Sequence, residues 1–142
     1  MDLSPTADQV ELRSALSSLL ARESTPERIR KAEPLGFDGE LWTVLTDFGV
    51  PALAESVSLA DLAVITELAG EHLASAPVIE SLVARRLLNR LGADVPDGIV
   101  TFCPRPVVDG RVHLVAGGAV SSGVLARRDD ELVLTAVDAE VT

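Results

Sequence analysis

The stretch LGADVPDGIVTFC, residues 91–103, decides the fold because the hydrophobic periodicity of the chain changes within it. Upstream, apolar residues recur at the three- and four-residue spacing of amphipathic helices. Downstream, short apolar runs alternate with turn residues, a pattern typical of strands. The sequence therefore predicts a helical domain over residues 1–93 and the beginning of a β domain over residues 94–142, in a mainly helical α+β fold.

About five helices are predicted upstream of this boundary. Capping signals mark their ends, because short polar side chains satisfy free N–H groups and glycine accepts the left-handed conformation after a last turn. The residues that carry these signals are Thr6, Gln9, Thr25, Ser58, Gly49 and Gly92. The predicted helices cover residues 7–22, 26–33, 39–48, 58–73 and 77–91, and together they form an N-terminal bundle.

The predicted helices differ in the surface that they bury. Pro51 is expected to stop the chain from continuing as a helix after the third one, whose buried side chains are predicted to be Leu41, Trp42, Leu45 and Phe48. The fourth is apolar around so much of its circumference, from Leu59 to Leu73, that we expect it to be the central helix. For the fifth, the inward residues are predicted to be Ile79, Leu82, Val83, Leu87 and Leu91, and the outward or partner-facing ones Arg85, Arg86 and Arg90.

A few antiparallel strands are predicted downstream. They cover residues 99–103, a hairpin over 107–115 that turns at Asp109-Gly110, and residues 120–127 and 131–137. A sheet of three or four strands has exposed edges and an apolar face to cover. We therefore expect this sheet to need either more strands or a partner.

Composition limits the classes of function. With 47% apolar and 24% charged residues, the 142-residue chain is expected to fold rather than remain disordered. A net charge of −10 disfavours nucleic acid as a partner, since phosphate contacts require a basic surface. The first residues lack a secretory signal and no apolar run is long enough to span a bilayer, so we expect a cytoplasmic protein without a membrane partner.

No residue is predicted to be catalytic or to bind a metal. Cys103 lies among apolar residues with no cationic neighbour, which favours a buried structural thiol over a nucleophile. His72 and His113 are too isolated to suggest a metal site and are expected to be solvated or capping residues. A role in acid–base catalysis is the less favoured hypothesis for four helical carboxylates, Asp61, Glu67, Glu71 and Glu80.

Some glycines and arginines of the chain are possible phosphate ligands. Gly117-Gly118 and Ser121-Ser122-Gly123 lack the lysine and the following helix of a phosphate-binding loop, so they are predicted to be turn and edge residues. The arginines of the fifth helix could bind a phosphate or a neighbouring subunit, but surface arginines on helices are common. An ordinary surface role is therefore favoured for them.

Taken in order, several segments resemble the acyl-CoA dehydrogenase family. They are TADQVELR at residues 6–13, ELWTVLTDFGV at 40–50, TELAGEHLASAP at 66–77 and, more weakly, DGRVHLVAGG at 109–118. The resemblance implies FAD-dependent dehydrogenation across the α and β carbons of an acyl thioester, with a glutamate accepting the α proton and the flavin the β hydride. It also implies an acyl-CoA substrate and homo- or hetero-oligomers with another subunit of this type.

The sequence departs from the family at the sites of its chemistry. Where the family has a Thr-Glu-Pro flavin motif, residues 103–106 read Cys-Pro-Arg-Pro, and the acyl-CoA loop is reduced to residues 54–57. The family's catalytic base lies in a C-terminal helical domain that has no counterpart in these residues. We therefore expect a divergent or truncated dehydrogenase-like subunit without its own base, in which flavin contacts cannot be assigned to named residues. The alternative hypothesis is a helical interaction module whose sheet is completed by a partner protein.

Overall fold

A computed structural model describes residues 4–137 and confirms an α+β fold. Its helices are α1 (Ala7–Glu23), α2 (Pro26–Ala32), α3 (Gly39–Phe48), α4 (Val50–Ser56), α5 (Leu59–Glu71) and α6 (Val78–Arg90). Its strands are β1 (Val100–Pro106), β2 (Gly123–Arg128) and β3 (Glu131–Ala136), and a 3-10 turn covers Gly118–Val120. None of the helices within residues 4–137 has the length and apolar character needed to cross a membrane.

Side-chain caps determine where the helices begin. Thr6 and Gln9 form the predicted capping box of α1, and Ser58 forms a second capping box at α5. Asp38 caps α3 by accepting a hydrogen bond from the backbone N–H of Leu41. Four predicted helices correspond closely to α1, α2, α3 and α6, and the predicted fourth one corresponds to α5, which ends at Glu71.

The helix α4 is the element that the sequence did not predict. Pro51 does not end helical structure here but occupies the first turn of a new helix, where its missing N–H costs no hydrogen bond. Gly49, with φ of 93°, turns the chain between α3 and α4. The predicted end of α3 at Phe48 and its left-handed cap at Gly49 are confirmed, but Pro51 does not keep the chain from forming a new helix after that cap.

One hydrophobic core lies among α1, α3, α4, α5 and the start of α6. Its larger buried side chains are Leu16, Leu20, Leu41, Leu45, Ile65, Leu68 and Leu82. Phe48, Leu59 and Leu73 are exposed, so the predicted burial of Phe48 is wrong and α5 is buried on one face only. The reason is geometric: α5 packs mainly against α1, which leaves its far side in solvent.

The helix α6 belongs to two cores, and this corrects its predicted face. Val78 and Leu82 lie in the helical core, whereas Ala84 and Leu88 pack against Val100 of β1. Ile79 and Leu91, predicted to point inward, are exposed. A helix that packs on a bundle and a sheet at once presents a wider and differently oriented buried face than a bundle helix does.

The sheet has the order β1-β2-β3 and mixed topology. The strands β2 and β3 form the expected antiparallel hairpin, but β1 and β2 are parallel, so the prediction of antiparallel strands throughout is wrong. Residues 107–122 form a long crossover rather than two strands. The turn at Asp109-Gly110 exists, with positive φ at both residues, but it closes a single bridge between Val108 and Arg111.

The two faces of the sheet are covered differently. Helix α6 covers Val100 and Leu125 on one face. On the other face, the crossover places Val107, Val112 and Val115 against a buried cluster that consists of Cys103, Val124 and Ala126. The crossover thus takes the place of the helix that usually connects parallel strands.

Candidate functional site

A cleft of about 330 Å³ lies where the helical part meets the β part. Three loops form it: the α2–α3 loop, the α5–α6 junction and the end of the crossover. Its lining residues are Leu35, Gly36, Phe37, Ala74, Ala76, Pro77, Glu80 and residues 115–120. Its volume falls at the lower end of the range of about 300–1,000 Å³ for small-molecule sites. Its position at a junction between structural units is also typical of such sites.

Serine hydroxyls hold the crossover side of the cleft in place. Ser121 Oγ donates to the carbonyl of Gly117 at 2.7 Å and lies 3.3 Å from Thr101 Oγ1 of β1. Ser122 Oγ donates to the carbonyl of Asp97 at 2.8 Å. Gly117 has φ of 67°, and a Cβ at this position would lie 2.7 Å from Pro77 Cβ. Glycine is therefore required for the crossover to come this close to the start of α6.

The helical side of the cleft is built by two loops that bind each other. The backbone N–H of Asp38, the N-cap of α3, donates to the carbonyl of Ser75 at 2.8 Å. Leu73 has φ of 50°, and its neighbour Ala74 closes the end of α5 with a hydrogen bond to the carbonyl of Ala69. The α5–α6 junction is thus fixed by backbone bonds on both sides.

Exposed leucine and isoleucine side chains surround the cleft. Leu35 lines it and is 57% exposed, while Leu73, Ile79 and Leu114 adjoin lining residues in the chain and are 66%, 48% and 81% exposed. Leu73 and Leu114 also have positive φ, which is unfavourable for a bulky side chain. Backbone strain and exposed apolar surface both concentrate at functional positions. This combination makes the cleft the candidate site.

The chemistry of the cleft does not fit FAD. A flavin dinucleotide carries a pyrophosphate, which proteins bind with arginine, lysine or a cluster of free N–H groups. The only ionisable side chain among the lining residues is the carboxylate of Glu80, and a second carboxylate or a cation is absent from the lining. The end of β1 supplies only Pro104, Arg105 and Pro106 in exposed positions. The first turn of α6, which has no side-chain cap, borders the cleft at Pro77, but the Glu80 carboxylate in that turn repels a pyrophosphate. These residues therefore fit an apolar ligand better than a dinucleotide.

A second cavity, of about 410 Å³, is lined by residues of an ion-pair network. Arg28 donates through Nε and Nη2 to both carboxylate oxygens of Asp38, each at 2.8 Å, and through Nη1 to Glu23 at 2.9 Å. The hydrogen bond from Arg28 holds the pKa of Asp38 below its usual value, and the same contact raises the pKa of Arg28. These Arg28 donors are therefore engaged by carboxylates, and the network stabilises the α1–α2–α3 corner.

The structure separates the other predicted candidates. Cys103 is buried beneath the crossover at 1% exposure, and His113 lies exposed in it. His72 Nε2 lies 3.3 Å from Ser17 Oγ at the end of α5. Asp61 accepts from Ser58 and Gln9, which lower its pKa, while Glu67 pairs with Arg13 and Glu71 is exposed. Only Glu80 reaches the cleft. No group of three or more potential metal ligands converges anywhere in residues 4–137.

Two arginines of α6, Arg85 and Arg86, have structural partners. Arg86 donates to the carbonyls of Ala54 and Val57 at 3.2 and 2.8 Å, which satisfies carbonyls at the C-terminal end of α4. Arg85 lies 3.8 Å from Glu55 and Arg90 is exposed. Arg85 and Arg86 therefore point toward α4, not outward or toward a partner as predicted.

Sequence reasoning did not predict the cleft. The sequence predicts a turn at Gly117-Gly118, and the structure has a turn there. The close approach of Gly117 to Pro77 depends on the path of the crossover, which the sequence does not reveal. No protein-family model, curated protein or solved structure matches this chain. The geometry of the cleft and the sequence resemblance are therefore the basis for a functional proposal.

Proposed function

We propose that this chain is an acyl-CoA dehydrogenase-like subunit that contributes a helical bundle and a small sheet to a larger assembly, without holding flavin itself. The observation that carries the proposal is the packing of α6 directly along β1, through Ala84 and Leu88 against Val100. This packing joins the family-like helical segments and the family-like crossover into one unit with a cleft between them. The sequence resemblance supplies the reaction class, and the cleft supplies a place for part of the substrate.

The role proposed for the cleft is to accept the apolar part of an acyl thioester. Its walls are formed by Phe37, Ala74 and Ala76 on the helical side and by the valines and alanines of residues 115–120 on the other. Burial of an acyl chain on such walls is favourable by roughly 25 cal/mol per Å² of apolar surface. The charged coenzyme part would remain outside, since the lining has no cation to bind its phosphates.

The family reaction requires a base and a hydride acceptor, and this chain's described residues do not assemble them. Glu80 is a lone carboxylate at the cleft, since no second ionisable side chain is among the residues that line it. We assign flavin binding to another part of the assembly, because the cleft lining has no cation for a pyrophosphate. In this chain the cleft residues bind and orient the acyl group and exclude water from it.

Calorimetric titration of the full chain with octanoyl-CoA tests the proposal. We expect saturable binding that free coenzyme A does not reproduce. Ala119→Trp adds a large side chain at the cleft lining and should weaken this binding at least about 10-fold. A loss of that size corresponds to about two buried methylene groups of the acyl chain. Ala21→Trp, an exposed alanine on α1, is the matched control and should bind normally.

A second candidate function, the interaction module, is favoured by the unprotected edge of β3. Within residues 4–137 this strand pairs only with β2. If octanoyl-CoA does not bind the wild-type chain, or binds Ala119→Trp equally well, the substrate role of the cleft is wrong and the interaction role becomes the better explanation.

A further inference from the structure

Within residues 4–137, the outer edge of β3 from Leu132 to Ala136 has few of the features that normally prevent strand pairing. Residues 132–136 read LVLTA and contain neither proline nor a charged side chain. Natural edge strands are usually protected by charges, prolines, bulges or a covering element. Among the described residues, β2 is the only strand that pairs with β3. Alternate N–H and C=O groups along the other side of β3 are therefore directed away from the sheet.

The opposite edge of the sheet is protected. Pro104 and Pro106 in β1 have no backbone N–H to donate, and Arg105 between them is charged and exposed. The register with β2 is also irregular between Cys103 and Pro106. These features protect the second half of β1, so strand addition is favoured at β3.

An apolar row runs across the sheet and reaches this open edge. Phe102, Leu125 and Leu134 are register partners across β1, β2 and β3, so they lie on the face that α6 covers. Helix α6 packs on β1, and Leu132 and Leu134 remain 38% and 39% exposed. The row would continue naturally onto a further strand next to β3.

We propose that a second copy of this chain pairs antiparallel with β3, so that Leu132 of each copy lies opposite Leu134 of the other. In a two-fold arrangement, opposing residues must lie on the same face of the sheet, which this register satisfies. It brings the exposed leucines of both copies together on the α6 side. The result is a six-stranded sheet with α6 of both copies on the same face.

The charge pattern of β3 is compatible with a second copy as the occupant. In this register, Glu131 lies opposite Thr135 and Asp130 lies opposite Ala136, so no two carboxylates oppose each other. Glu131 is also paired with Arg128 of its own chain at 3.5 Å. The remaining repulsion comes from the net charge of −10 on each copy, which acts at longer range and is screened by salt.

This inference goes beyond the proposed function and does not depend on it, because the edge of β3 and the cleft are tested by different measurements. Failure of octanoyl-CoA binding would leave the dimer unaffected. A monomeric chain that binds octanoyl-CoA would overturn the dimer and leave the proposed function in place.

Sedimentation equilibrium of the full chain and three variants tests the pairing. Leu132→Lys with Leu134→Lys places like charges opposite each other twice and should raise the dimer dissociation constant on the order of 100-fold or more. Leu132→Lys with Leu134→Glu places opposite charges together in the proposed register and should restore much of the association. Val10→Lys with Leu59→Lys changes two exposed residues of α1 and α5 and is the matched control, with wild-type association expected.

Each other result overturns part of the proposal. A wild-type chain that is monomeric at all concentrations excludes a second copy as the partner of β3. If this monomer binds a strand peptide flanked by lysines, the partner of β3 is a basic protein instead. A Lys/Lys variant that dimerises normally excludes the β3 edge. A Lys/Glu variant as weak as the Lys/Lys variant excludes the register. Rising salt should strengthen the wild-type dimer, whereas a basic partner would bind more weakly.

Discussion

At the residue scale, Asp38 connects more of the molecule than any predicted site residue does. Its carboxylate caps α3, accepts both hydrogen bonds of the Arg28 fork, and its backbone N–H binds the α5–α6 junction beside the cleft. Bidentate arginine–carboxylate pairs of low exposure are the stronger kind of ion pair. Asp38 thus connects the start of α3 to the α5–α6 junction, which forms one wall of the cleft.

Two substitutions of Asp38 should separate its capping role from its charge. Asp38→Asn retains a good N-cap but loses the ion pair, and should lower the free energy of unfolding by about 1 kcal/mol. Asp38→Ala loses both and should cost about 2 kcal/mol. Urea denaturation measures the two values. Equal losses in the two variants would show that the cap contributes nothing.

The lowered pKa of Asp38 predicts a pH dependence of stability with a definite sign. A carboxyl whose pKa is lower in the folded than in the unfolded state, about 3.9, stabilises the fold above that pH. This contribution is lost as the pH falls through the folded-state pKa. The difference in unfolding free energy between wild type and Asp38→Asn should therefore be constant near neutrality and shrink below about pH 4. A difference that grows on acidification would contradict the ion pair.

At the element scale, the crossover and the start of α6 form the most constrained contact of the cleft. Gly117→Ala adds a Cβ at a positive φ and within 2.7 Å of Pro77, whereas Gly110→Ala has a similar φ of 72° with nothing within 4 Å. Both variants should lose about 1 kcal/mol from the backbone conformation, and Gly117→Ala should lose about 1–3 kcal/mol more from overpacking. Thermal or urea unfolding of the pair checks this. Equal losses would mean that the crossover relaxes away from Pro77.

The elements that the sequence predicted well are those specified by local chemistry. The ends of α3 are set by its caps, Asp38 and Gly49. The β2–β3 hairpin turns at Asp129-Asp130, between two segments predicted as strands. The helix α4 was missed because Pro51 is compatible with both the end and the first turn of a helix. Pro51 lies in the first turn of α4 because Gly49 turns the chain in a left-handed conformation just before it. Hydrophobic periodicity does not reveal that turn.

The strand topology and the cleft required long-range information. Asp109-Gly110 predicts a tight turn correctly, but turn chemistry does not determine whether strands extend on both sides of it. The parallel pairing of β1 with β2 follows from the valines of the crossover, which cover the face of the sheet that α6 leaves open. The outward orientation of Arg86 was predicted wrongly for a similar reason, since its partners are carbonyls of α4, distant in sequence.

At the scale of the whole molecule, residues 4–137 form an apolar cleft whose lining has no cation and a strand β3 that pairs only with β2. The helical core and the sheet core share α6, so the two parts are expected to unfold together rather than separately. The dehydrogenase-like proposal requires that the flavin be held by another chain or segment.

Whether this chain holds flavin itself is tested most directly by the flavin content of the purified full chain, after incubation with excess FAD and removal of free cofactor. We predict that the visible absorption spectrum shows no stoichiometric flavin, because the cleft lining offers Glu80 and no cation. One retained FAD per chain, together with oxidation of octanoyl-CoA, would contradict the account.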